Sequence, residues 1–173
     1  MSTKNLSNFK LQQPEVIHDV SIGILVSQWN KEVTEKLLDG ALTTLKEQGI
    51  SEEQIHINTV PGSYELPLGA QMMIEYAEVD AVICLGSVIQ GETRHFEFIS
   101  QAVSQGLNRV SLAYSSPVIF GVLTTANQEQ ALDRAGGKHG NKGVEAAVSA
   151  LEMLALEYTL LNQSLPNNED LQV

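Results

Sequence analysis

Cysteine is almost missing. The single Cys84 excludes an internal disulfide framework and any metal centre built from several thiolates. Its neighbours in A-V-I-C-L are apolar, so it reads as an inert core residue. Positive charge is scarce too: ten Lys and Arg stand against 21 Asp and Glu, a formal net charge of −11. Phosphate backbones repel such a chain and no basic stripe breaks the pattern, which argues against nucleic acid as a partner. No apolar run approaches the ~18 residues of a membrane span, and the first residues (M-S-T-K-N-L-S-N-F-K) contain no secretory-type apolar segment. A cytoplasmic protein without a membrane partner is expected. An anionic small molecule can still bind, provided cations are gathered locally.

What is present is ordinary for a globular protein: 43% apolar and 18% charged residues in 173, the length of one domain. Residues 1–14, closed by Pro14, and 162–173, containing Pro166, are polar and read as tails on a single domain spanning 1–173. Between them, short apolar runs of strand type alternate with helical stripes. The runs are 20–27, 54–60, 80–86 and 117–123. The first helix follows Asn30 as a candidate N-cap, with Val33, Leu37, Leu38, Ala41 and Leu45 on its stripe and Gly49 after its end. The second, 64–78, places Leu68, Met72 and Met73 on one face. Phe96, Ile99, Ala102, Val103, Leu107 and Val110 trace the third; a short helix near 127–136 and a long one from about 143 follow. Fourfold strand–helix alternation predicts right-handed crossovers. The expected fold is α/β, a three-layer α/β/α sandwich around a four-stranded parallel sheet, doubly wound and flavodoxin-like. Ligands in such sheets bind beyond the carboxyl ends of the strands.

Those ends carry the chemistry. After the first strand comes Q-W-N, where Trp29 is either a stacking platform for a flat heterocycle or a cap on the core. Asn30 either offers its amide to a ligand or caps the helix. After the second comes V-P-G-S-Y-E-L-P, residues 60–67. Pro61-Gly62 is turn chemistry, and Ser63 can open a helix. Glu65 either accepts from substrate hydroxyls or complements the helix dipole. After the third comes G-S-V-I-Q-G-E-T-R-H-F-E-F, residues 86–98. Gly91 permits a backbone geometry closed to other residues, and free amides from 91 to 93 at a helix start suit an anion such as phosphate. His95, at the start of that helix, suits proton exchange near neutral pH or is simply a surface histidine. Last, R-A-G-G-K-H-G-N-K-G at 134–143 gathers Arg134, Lys138 and Lys142 in an otherwise acidic chain. It supplies the local cations an anionic ligand needs, and its spacing is not that of a P-loop.

The four strings V-P-G-S-Y-E-L-P, G-S-V-I-Q-G-E-T-R-H-F-E-F, P-V-I-F-G-V-L-T-T (117–125) and R-A-G-G-K-H-G-N-K-G, in this order, resemble the 6,7-dimethyl-8-ribityllumazine synthase family. The resemblance runs from about Val20 to Leu156. It implies an enzyme of riboflavin biosynthesis that condenses 5-amino-6-(D-ribitylamino)uracil with 3,4-dihydroxy-2-butanone 4-phosphate, with no cofactor or metal. It further implies that Trp29 stacks on the pyrimidine and that Ser63, Tyr64 and Glu65 line the ribityl chain. Ser87, Val88 and Ile89 would contact the uracil through their backbone. Glu92 and Thr93 would bind phosphate through their amides, with Arg134 as countercharge, and His95 would be the proton donor. Phe120 and Arg134 would come from the neighbouring subunit; Lys142 matches a family lysine near the same pocket.

Two positions depart from the family pattern. Gln90 stands where many members have Arg, and Glu92 where many have a small residue. The resemblance also implies a homo-oligomer, either a pentamer or a sixty-subunit icosahedral shell of twelve pentamers. The compact segment at 136–143 matches the shell-forming type. A rival within the same fold makes riboflavin from two lumazines. A flavodoxin-type carrier would need a phosphate loop directly after the first strand, and Q-W-N offers none.

Overall fold

Four parallel strands carry the fold: β1 (Ile22–Ser27), β2 (Ile55–Val60), β3 (Ala81–Ile89) and β4 (Val118–Thr125), in the order β2-β1-β3-β4. The computed structural model describes residues 19–164. Five helices pack on the sheet: α1 (Lys31–Glu47), α2 (Leu66–Ala77), α3 (His95–Tyr114), α4 (Gln128–Asp133) and α5 (Lys142–Ser164). The result is the three-layer sandwich expected from the alternation. No described helix is long and apolar enough to cross a membrane.

The central strands are covered on both faces, which is why their sequences run apolar without alternation. All six residues of β1 are buried. Along β3, Ile83 and Leu85 face the layer of α1 and α5, packing with Leu37, Leu45, Leu151 and Leu154. Val82 and Cys84 face the layer of α2 and α3, packing with Leu66, Ala70, Met73, Val103 and Leu107. Each of these fully buried large side chains contributes roughly 1.5–3 kcal/mol. Full burial also pushes the Cys84 thiol far up, so it stays protonated and inert.

The structure departs from the sequence reading in several places. β3 runs on to Ile89 and β4 to Thr125, because Ser87, Val88 and Ile89 pair in register with Leu123, Thr124 and Thr125. The residues expected in a loop after the third strand are therefore held as strand. The face of α2 is also different: its buried residues are Leu66, Gly69, Ala70 and Met73, whereas Leu68 and Met72 are exposed. With Tyr64 and Tyr76 they form an outward stripe at four-residue spacing. The helix expected from 64 begins as a single 3₁₀ turn over Ser63–Glu65. The short fourth helix ends at Asp133, and the glycine-rich segment is an antiparallel hairpin, β5 (Ala135–Gly137) with β6 (Gly140–Asn141). α5 continues through 162–164; the expected tails 1–14 and 165–173 lie outside the described residues.

Candidate active site

The carboxyl ends of β1, β2 and β3 are drawn together by main-chain bonds. Gln28 N–H donates to Val60 O at 2.9 Å and Trp29 N–H to Pro61 O at 3.3 Å, laying the Trp29 segment beside the Pro61–Glu65 turn. Asn30 has φ 59°, ψ 43°, a left-handed conformation that asparagine tolerates better than most residues. It stands at the N-cap of α1, as expected, but its side chain makes no capping hydrogen bond. Instead Nδ2 donates to the carbonyl of Ser87 at 2.8 Å and ties the end of β3 to the end of β1.

A cavity of about 540 Å³ opens at this junction, within the usual range for a small-molecule site. Trp29, Ser63, Tyr64, Glu65, Ser87, Val88, Ile89 and His95 all line it. Trp29 is 71% exposed, so it does not cap the core; its indole is free to act as a wall of the cavity. Ser63 is buried against the sheet, with its hydroxyl 3.4 Å from that of Ser27. A Cβ at Gly86 would come within 2.6 Å of the Ser63 hydroxyl oxygen, so glycine there makes room for it. Ser87 is only 3% exposed and its buried hydroxyl has no partner among the described residues. Glu65 braces its own turn: one carboxylate oxygen accepts from Gly62 N–H at 2.9 Å. Among the described residues, that leaves its other oxygen for a ligand.

His95 is the first residue of α3, exposed at the rim of the cavity, with Ile99 one turn below it in the same lining. Glu92 and Thr93 are exposed in the turn before α3 and do not line the cavity. The main-chain N–H groups of Gly91, Glu92 and Thr93 have no main-chain acceptor among the described residues; the Thr93 hydroxyl accepts from His95 N–H at 3.4 Å. Gly91 does not use the backbone freedom that glycine permits: it has no positive φ, and a Cβ there would meet nothing within 4 Å.

Two cations of the same chain are already engaged. Arg94 pairs with Glu97 at 3.0 Å and lies over the Phe98 ring, 5.5 Å from its centroid. Lys142 pairs with Glu145 at 2.8 Å. Arg134, at the end of α4, is partly buried and has no ion-pair partner among the described residues. It does not line the cavity, and neither does Phe120, which sits on the outer strand β4 partly buried against the second core. A larger open groove of about 710 Å³, between α1 and the hairpin, holds none of the candidate residues.

Of the lining, Pro61, Gly62 and Ile99 had not been singled out as site residues. Ile99 was recoverable, because it follows His95 by four residues and shares its helix face.

The family model described as 6,7-dimethyl-8-ribityllumazine synthase matches residues 19–157. A protein of that name from Cytophaga hutchinsonii is 57% identical over 152 residues, covering 88% of this chain and 95% of its own length. Its namesake from Parabacteroides distasonis is 47% identical over 151 residues, covering 87% and 94%. One from Bacteroides fragilis is 48% identical over 141 residues, covering 82% and 99%.

Proposed function

The chain belongs to the 6,7-dimethyl-8-ribityllumazine synthase family, and from that premise we propose that the cavity beside Trp29 is one half of its active site, completed by a neighbouring copy. The enzyme condenses 5-amino-6-(D-ribitylamino)uracil with 3,4-dihydroxy-2-butanone 4-phosphate, releasing phosphate and water. One observation carries the placement of this reaction: an exposed indole, a carboxylate and an imidazole meet at a single cavity closed by the ends of three strands.

In this reading the pyrimidine lies against Trp29, its edge meeting the Ser87, Val88 and Ile89 backbone. The ribityl hydroxyls reach Ser63, Tyr64 and Glu65. The unengaged amides at Glu92 and Thr93, beside the N-terminus of α3, take the phosphate. Arg94 is committed to Glu97, so the countercharge is Arg134 of an adjacent copy, with Phe120 closing the ring pocket from the same side. The uracil's amine attacks the ketone carbonyl and water leaves to give an imine; loss of phosphate, ring closure and dehydration follow. His95 moves the protons. Holding two substrates side by side supplies much of the acceleration.

An assembly is required by this division of residues. The outward α2 stripe of Tyr64, Leu68, Met72 and Tyr76 supports burial against another copy. The pentamer is the smallest unit with complete sites, and the compact hairpin favours the sixty-subunit shell. Light scattering giving a mass near five chains would remove the shell. The reaction itself is tested by mixing the protein with both substrates and following lumazine fluorescence. Product from the pair supports the reading; riboflavin formed from two lumazines, with none from the pair, overturns it.

A further inference from the structure

We infer that Asn141 is a positioning residue for the guanidinium of Arg134, clamping the hairpin that carries it onto α1. The inference rests on the reading of Arg134 as the phosphate's countercharge.

Both ends of the Asn141 carboxamide are engaged. Nδ2 donates to the carbonyl of Lys36, within α1, at 2.8 Å, across 105 residues of chain. Oδ1 accepts from Gly143 N–H at 2.7 Å, at the start of α5. Two glycines make this approach possible by lacking a side chain. A Cβ at Gly40 would fall 2.5–2.7 Å from the Asn141 carboxamide atoms, and one at Gly143 would fall 1.9 Å from Leu37 O. Three elements thus converge on one amide group.

The clamp reaches Arg134 through the backbone. Asn141 pairs with Ala135 in the hairpin, directly after Arg134. Lys142 N–H donates to Arg134 O at 2.9 Å, and His139 N–H to Asp133 O at 2.8 Å. Displacing Asn141 therefore moves the main chain from which the Arg134 side chain extends. An arginine that must meet a phosphate held on another copy gains from a fixed origin, because its long side chain otherwise samples many positions. A purely structural clamp would instead affect both substrates alike.

The test uses the assembled full-length protein and four variants: Asn141→Ala, Arg134→Ala, the double variant, and Gly40→Ala, which presses a methyl onto the carboxamide. For each, kcat/KM is measured for both substrates, with inhibition by inorganic phosphate and the dissociation constant of the uracil. Asn141→Ala is expected to lower kcat/KM for the phosphorylated ketone on the order of ten- to a hundredfold. Phosphate inhibition weakens in parallel, and the uracil's dissociation constant does not change. Added to Arg134→Ala, it costs nothing further, the mark of two residues acting as one unit. Equal losses on both substrates, or additive losses, would overturn the inference. If Arg134→Ala weakens phosphate binding and Asn141→Ala does not, the clamp is wrong and the role of Arg134 stands. If Arg134→Ala leaves phosphate binding unchanged, that role fails and the inference with it. Should Asn141→Ala not assemble, Gly40→Ala decides by the same selectivity, in the same direction and with a smaller loss.

Discussion

The carboxamide of Asn30 donates to the main-chain carbonyl of Ser87 at 2.8 Å, and this bond joins the tips of β1 and β3 where the cavity opens. Asn30 holds it from a left-handed backbone, next to the exposed Trp29. Removing the side chain frees the Ser87 carbonyl and loosens the edge against which the proposed site sets the pyrimidine. Asn30→Ala and Asn30→Gly should both raise KM for the uracil. They should differ in stability: alanine is strained at φ 59° and glycine is not, so the glycine variant is the more stable of the two by about 1 kcal/mol. Urea midpoints and substrate titrations together check this.

Among the described residues, His95 is the histidine that lines the cavity. Proton transfer by a positioned side chain is worth about 10²–10⁴-fold, and the attacking amine is itself nucleophilic. His95→Ala is expected to slow turnover by that range without abolishing it. Complete loss in a variant of unchanged fold and assembly would assign the histidine more than proton movement.

The turn before α3 separates backbone from side-chain roles. Gly91 has open space around its missing Cβ, so Gly91→Ala should change stability by no more than about 0.5 kcal/mol. In the proposed site the phosphate lies on the neighbouring amides, and KM for the phosphorylated ketone should rise on the order of tenfold. Glu92→Ala should leave that KM unchanged or lower it, since the proposed site uses only its amide and a repelling carboxylate is lost. Steady-state kinetics on the two variants, with thermal melts alongside, distinguishes these outcomes.

Cys84 is wholly buried and its thiol is pushed up by the same burial. The native protein should not react with an aromatic disulfide reagent on the timescale of activity assays, and should react with one equivalent per chain in denaturant. Rapid labelling of the folded protein would mean that β3 opens readily.

Much of this fold was legible because parallel strands buried on both faces write themselves as apolar runs, as β1 and β3 do. Their ends were not legible. Whether Ser87–Ile89 stay in the sheet depends on pairing with Leu123–Thr125, a partner far away in sequence. Leu68 and Met72 misled because apolar residues at helical spacing mark a buried face, and in α2 that face is outward on a single chain. Trp29, Glu65 and His95 announced themselves by chemistry at strand ends. Asn30 was singled out as a helix cap or an amide for a ligand, but not as a clamp on the Ser87 carbonyl, and Asn141 was not singled out at all, because an asparagine that clamps backbone looks like any turn residue; Gly40 and Gly143 were the trace of the second clamp.

Whether the site is divided between two copies is decided by a crystal structure of the assembled protein with a non-reactive lumazine analogue and inorganic phosphate. A divided site sets the ring against the Trp29 indole and the phosphate on the amides of Glu92 and Thr93, with Arg134 reaching that phosphate from the adjacent subunit. A ring bound elsewhere, or a phosphate held within one chain by its own Arg134, would contradict it.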